Sequence, residues 1–432
     1  MHRKATMALV VAAALGLPDA AAAQTQDELK SLREQVRQLD KRVTDAEQAA
    51  LQASSRPASE SAMNPAVSVI LNGIYSNLSQ DPSTFRINGF VPSLGEAGPG
   101  GRGLNLGESE LALAANIDHN FRGTLIASIS PEDGIGVEEG TIQTLALSHG
   151  FTIKAGRFFS SVGYQNQIHA HAWDFTDAPL ANKVFLGNQL GEDGLQLKWV
   201  APTDLYFDLG LELGRGRQFP AGPAGGRNKN GVGSSNGFTH VGGDFGTGAA
   251  WQTGVSYLST SPRDRTFEDP TGTTNSFTGQ SRLWVLDGIL KWAPNYNPTY
   301  TNFKLQGEYF RRKEEGDLTS GATAQTGGFT STQSGFYLQG VYQFVPMWRV
   351  GYRYDRLDSG STSFSAPLNA ADFPILATYN PTRHTVMIDW NPSEFSRVRL
   401  QLAQDKSRSD ATDNQAFLQY IVSLGAHGAH KF

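Results

Sequence analysis

The chain has no cysteine in its 432 residues, and that absence removes several classes of function. No disulfide can staple it, no thiolate can hold a metal, and no cysteine nucleophile is available. Long apolar runs are missing too. After the first twenty residues nothing approaches the roughly 18 consecutive apolar residues of a spanning helix, which excludes a helical membrane protein. Charge of one sign is scarce. The 36 Lys and Arg against 41 Asp and Glu leave −5, a mild acidic balance that argues against nucleic acid as a partner. What is abundant is glycine, with 47 residues, above the usual share of about 7%. Composition alone reads as a soluble, glycine-rich β protein, and the order of residues along the chain revises that reading.

The first 65 residues divide into three segments. Residues 1–23 have the form of a secretory signal: His2, Arg3 and Lys4 make a basic start, Ala5 to Leu17 an apolar run, and Ala21-Ala22-Ala23 a small-residue cleavage site. Residues 24–51 read as a periplasmic helix. Leu29, Leu32, Val36, Leu39, Val43, Ala46 and Ala50 alternate spacings of three and four, a heptad seam that predicts a short coiled coil. Residues 52–65 are a polar, Pro-containing linker.

From residue 66 to 432 the helical period gives way to alternation. Leu205, Phe207, Leu209, Leu211 and Leu213 face away from Asp208 and Glu212, and Phe336, Leu338, Tyr342 and Phe344 oppose Gln339 and Gln343. Trp348, Val350, Tyr352 and Tyr354 oppose Arg349, Arg353 and Asp355, and Val398, Leu400 and Leu402 oppose Arg397 and Arg399. Sixteen such segments can be counted, each the length of a strand with one apolar and one polar face. The connections alternate short and mostly long, and five of the seven tryptophans (Trp199, Trp251, Trp292, Trp348, Trp390) stand beside short turns. The chain ends on Phe432, in phase with Tyr420, Val422 and Leu424.

These features predict an all-β fold: a transmembrane antiparallel β-barrel of about sixteen strands in the bacterial outer membrane. Lipid cannot satisfy free backbone groups, so the sheet must close, with its apolar face outward and its polar face around a water-filled lumen. Outer-membrane lipid is then the solvent of the outer face, and Phe432, a terminal aromatic in phase with that face, resembles the signal read by the barrel-assembly machinery.

At this point the residues resemble a known group. The signal, the periplasmic coiled coil, the sixteen-strand pattern and the terminal Phe look like the trimeric porins of Gram-negative bacteria. The branch of phosphate-selective and DcaP-like porins is the nearest in layout, and Val137-Glu138-Glu139 and Lys154-Ala155-Gly156-Arg157-Phe158 look like its paired strands. A narrower resemblance is to proteins labelled zinc-regulated TonB-dependent outer-membrane receptors. It rests on the stretches Leu71 to Pro82, His169-Ala170-His171-Ala172-Trp173-Asp174-Phe175 and Gly425 to Phe432. TonB-dependent transporters resemble 22-stranded plugged barrels, and residues 24–65 are too short to be such a plug. The resemblance to porins implies a homotrimer and a passive diffusion channel. The narrower one keeps uptake of zinc or its complex as the alternative.

The longest connection, 159–193, is the third on the long side, and in sixteen-stranded porins the third such loop typically enters the lumen. Its His169, His171, Asp174, Asp177 and Lys183 are therefore the candidates for a pore constriction. His169 and His171 place two imidazoles on one side of an extended segment, and with Asp174 they make a candidate N/O site for Zn²⁺, as a transported or transiently bound ion rather than a cofactor. Arg349, Arg353, Asp355, Arg397, Arg399, Glu308, Asp208 and Glu212 fall on the polar strand face and are expected to line the pore. No catalytic constellation is present: Gly225-Gly226-Arg227-Asn228-Lys229 has no strand–helix frame around it, so an enzyme is not expected.

Overall fold

In a computed structural model the described residues are 65–93, 97–130, 134–222 and 230–425. The signal segment, the helix expected over 24–51 with its coiled coil, all but the last residue of the linker, and the terminal His427, His430 and Phe432 lie outside them.

The described residues form one antiparallel sheet that closes on itself. In chain order its strands are β1 (Ala66–Leu78), β2 (Gly103–Leu106), β3 (Ser109–Asn116), β4 (Phe121–Ser130), β5 (Gly134–Thr144), β6 (Phe151–Phe159) and, after helix α1 (Leu180–Leu186), β7 (Gly191–Val200), β8 (Tyr206–Gly214) and β9 (Ser234–Phe245). The rest are β10 (Ala249–Thr260), β11 (Arg265–Glu268), β12 (Thr274–Trp292), β13 (Asn302–Thr319), β14 (Thr326–Val345), β15 (Trp348–Phe364), β16 (Thr382–Ser393), β17 (Ser396–Lys406) and β18 (Asp413–Gly425). Neighbours in sequence pair with one another, and β1 pairs with β18, for example Leu71 with Val422. Two staves are broken in the middle. Both β2 and β3 lie along β1, and both β10 and β11 lie along β12, so the eighteen strand segments make a closed sixteen-strand barrel.

The barrel is inside out relative to a soluble protein. Leu338 is 50% exposed on the outer face, whereas the next residue, Gln339, is 3% exposed on the inner face. The same holds around the wall: Leu71, Leu125, Leu197, Leu211, Leu286, Tyr352, Leu402 and Tyr420 are exposed. Only a non-aqueous surrounding makes such a surface favourable, since each exposed leucine forgoes about 1.5–3 kcal/mol of burial in water. Aromatic rings gather at the short-turn end. Trp348 and Trp390 are cross-strand partners with ring centroids 6.2 Å apart, and Trp251 stacks on Phe245 at 5.9 Å.

Two features differ from the sequence expectation. Strands β12 to β15 run well past the alternating segments toward the long-loop end, because segments such as Lys313-Glu314-Glu315 are polar on both faces. The inner face is also partly apolar. Leu258, Leu283, Val285, Phe310, Tyr337 and Leu357 point inward and pack with Val184, Phe185 and Leu186 of α1. Farther along, Phe267, Phe277, Leu318 and Phe329 pack with Val91, Phe219, Leu368, Phe373 and Ile375 from loops folded over the long-loop end.

Candidate functional site

The connection between β6 and β7, residues 160–190, folds into the barrel, and the inner wall holds it at nearly every turn. At its start, Glu212 of β8 accepts the hydroxyl of Ser160 at 2.5 Å and the N–H of Ser161 at 2.8 Å. Gly163 turns the chain with φ +69°, where a side chain would meet the Glu308 carboxylate. Glu308 of β13 then accepts the N–H groups of Tyr164 and Gln165. Arg397 and Arg399 of β17 donate to the carbonyl of Trp173, at 3.1 and 2.9 Å. Asp355 of β15 accepts the N–H of Leu180 at 2.9 Å, satisfying one of the free donors at the start of α1.

The acids of the loop face the cations of the wall. Asp174 binds Lys304 at 2.6 Å and Arg349 at 3.2 Å. Asp177 binds Arg383, Arg353 at 3.1 Å and Lys183 of α1 at 3.0 Å. Burial alone would raise the Asp177 carboxyl, but Arg383, Lys183 and Arg353 overcome it and hold it well below the usual carboxylate range. Burial pulls the Lys183 ammonium down, against the opposing pull of Asp177.

This corrects the expected pore lining. Arg353, Asp355, Arg399, Glu308 and Glu212 are buried, and their charges are spent on the loop rather than offered to a solute. Asp208 is buried within the wall itself, bound to His240 at 2.8 Å and Lys198 at 2.7 Å. Arg349 and Arg397 keep partial contact with water while also holding the loop. The physical reason is that alternation tells inner from outer positions but cannot tell an open lumen from a filled one. A signal was available in the doubly apolar runs Leu283-Trp284-Val285-Leu286 and Phe336-Tyr337-Leu338, which mean burial on both faces.

The two loop histidines lie together, with ring centroids 5.8 Å apart. Asp174 is not with them, because its oxygens are taken by Lys304, Arg349 and Gln339. The carboxylates at the histidines come from the opposite wall: Glu110 of β3, and Glu138 and Glu139 of β5. A β-bulge supplies the last two. Ile126 pairs with Glu139 and Ala127 with Val137, so Glu138 is the extra residue and both neighbouring carboxylates reach the histidine. Burial presses the His169 imidazole toward neutrality, yet Glu138 and Glu139 hold its pKa well above the usual value. The loop thus bridges the lumen, with its histidines on β3 and β5 and its acids on β13, β15 and β16.

This architecture is the outer-membrane porin fold. OmpT of Vibrio cholerae, solved as a variant lacking loop L8, superimposes with a TM-score of 0.51 at 11% identity, covering 83% of this chain and 99% of that one. OprB of Pseudomonas putida gives 0.51 at 11% identity over 87% and 97% of the two chains. A porin of Comamonas acidovorans described as anion-selective gives 0.50 at 11% identity over 83% and 99%. No family model matches the chain. A protein of Aquifex aeolicus (strain VF5), described as an uncharacterized protein, is 33% identical over 345 residues, 77% of this chain and 70% of that one. The chain belongs to the family of that Aquifex protein.

Proposed function

We propose that the chain is an outer-membrane diffusion channel for small hydrophilic solutes, with its aperture set by the loop 160–190. The observation that carries this reading is the loop itself, fixed across the lumen of a closed barrel by ion pairs to one wall and by histidine–carboxylate contacts to the other. A merely structural barrel gains nothing from burying so many charges, because buried ion pairs contribute little net stability.

The remaining water-facing charges suggest the sign of selectivity. At the short-turn end the inward side chains Arg122, Lys154, Lys198, Lys304, Arg349 and Arg397 all keep contact with water. These six cations stand against four acids, Asp174, Asp208, Asp389 and Asp244, the first three of them paired with Lys198, Lys304, Arg349 and Arg397. An excess of one sign along the lumen favours the opposite ion. The channel therefore favours anions, as the Comamonas porin is described to do. Reversal potentials in a KCl gradient across a planar bilayer test this. A chloride-preferring potential supports it, and a potassium-preferring potential overturns the selectivity while leaving the channel in place. We further read the channel as a homotrimer, the form in which OmpT is described in one solved structure. Light scattering on the detergent complex tests that stoichiometry.

A further inference from the structure

We propose that Glu110, Glu138 and His169 bind a divalent transition-metal cation that clamps the inward loop to the β3–β5 wall. One ligand atom from each of the three lies within 4.8 Å of the other two, close enough to share an ion. Each comes from a different segment: β3, the bulge of β5, and the loop. An imidazole nitrogen with carboxylate oxygens is a donor set suited to Zn²⁺ and its neighbours in the first transition row.

The hydrogen-bond inventory points the same way. His169 presents Nδ1 to Glu138 at 3.2 Å and to Glu110 at 3.5 Å, and Nε2 to Glu139 at 3.2 Å. A neutral imidazole has one N–H, so one of its nitrogens is an acceptor turned toward a carboxylate, which is also an acceptor. Something positive must stand between them, a second proton or a metal ion. The cluster is shielded, with Glu110 at 2% and Glu138 at 10% side-chain exposure, so bulk cations do not screen it.

The surroundings also fit. His171 Nδ1 meets Glu110 Oε1 at 2.6 Å, an orienting contact of the kind that fixes metal-bound carboxylates. Phe159 packs edge-on against His169 with centroids 5.1 Å apart and limits the ring's rotation. Because the ligands lie on separate segments, binding energy becomes docking energy for the loop. The inference is independent of the channel reading, since binding is measured on the protein in detergent, without any current.

The test uses the full chain, stripped with EDTA and titrated with Zn²⁺ by calorimetry and with Co²⁺ by visible absorption. The expected result is one site per chain, a Zn²⁺-dependent rise in melting temperature, and a loss of affinity of about 10-fold or more in both Glu138→Gln and His169→Gln. Glu110→Gln, which removes the ligand from β3, serves if His169→Gln fails to fold, and there a loss of affinity together with an intact circular dichroism spectrum supports the site, whereas unchanged affinity overturns it. A double variant His427→Ala, His430→Ala retains binding. Absence of binding in the wild type, unchanged affinity in Glu138→Gln and His169→Gln, or loss confined to the His427/His430 variant overturns the proposal.

Discussion

Arg353 of β15 grips Asp177 of the inward loop twice: Nη1 donates to its carbonyl at 2.8 Å and Nη2 to its carboxylate at 3.1 Å. The guanidinium also stacks over Phe175, 4.8 Å from the ring centroid. One side chain thus fixes the loop by backbone, charge and ring, and is itself buried. Removing it leaves Asp177 with two of its three cations and takes from buried Asp355 the guanidinium at 3.1 Å, at a cost of up to about 3 kcal/mol. Arg353→Ala therefore loosens the loop, and single-channel recordings should show higher and noisier conductance than wild type.

Acid should release the loop late. Asp177 faces Arg353 of β15, Arg383 of β16 and Lys183 of α1, with the acid Asp355 nearby. Its folded-state pKa lies well below its unfolded one, so the stabilisation it contributes is complete above the ordinary carboxylate range and is lost as pH falls through the depressed value. Conductance should stay constant from neutrality to about pH 4 and change only below it. Asp177→Asn should lose that acid step and behave at pH 7 as the wild type does in strong acid.

The helix inside the barrel rests on apolar packing. Phe185 is buried, stacks on Phe310 with centroids 5.7 Å apart, and meets Phe90 edge-on at 6.0 Å. Phe185→Ala should cost about 3–5 kcal/mol. The barrel should still close, because the sheet does not depend on α1. Limited proteolysis should cut the loop in the variant and spare it in the wild type.

The outer face tests the membrane. Leu338→Arg places a charge on an exposed position that a soluble protein tolerates. Facing the hydrocarbon core it should cost about 2–4 kcal/mol. Reversible folding into lipid vesicles, followed by tryptophan fluorescence, measures the difference.

Much of this was legible in the chain. Strand positions followed from alternation because lipid and water enforce opposite residue types on the two faces. The alternating Phe207, Leu209, Leu211 and Leu213 fall on β8, and Val398, Leu400 and Leu402 fall on β17. Alternation is lost where the contrast between lipid and water ends. Beyond the lipid the outer face meets water and takes polar residues, while inward Phe277, Leu318 and Phe329 pack against loops folded over the end, so the ends of β12 to β15 lose the apolar-outward alternation. The loop's entry was legible from its length and position, and the partners of its residues were not. Asp174 stands three residues from His171, yet the chain turns at Ala170–Ala172 and sends it to the opposite wall. Glu138 and Glu139 would alternate across an ideal strand, and only the bulge opposite Ile126 and Ala127 brings both to the histidine.

The central claim is that charged residues of the inner wall hold a loop that narrows a channel. The most direct measurement is single-channel conductance in a planar bilayer for the wild type and for a variant in which residues 162–188 are replaced by a short Gly-Ser linker. The account predicts discrete channels in both, with several-fold larger conductance in the shortened chain. Equal conductance in the two, or no channel in either, would contradict it.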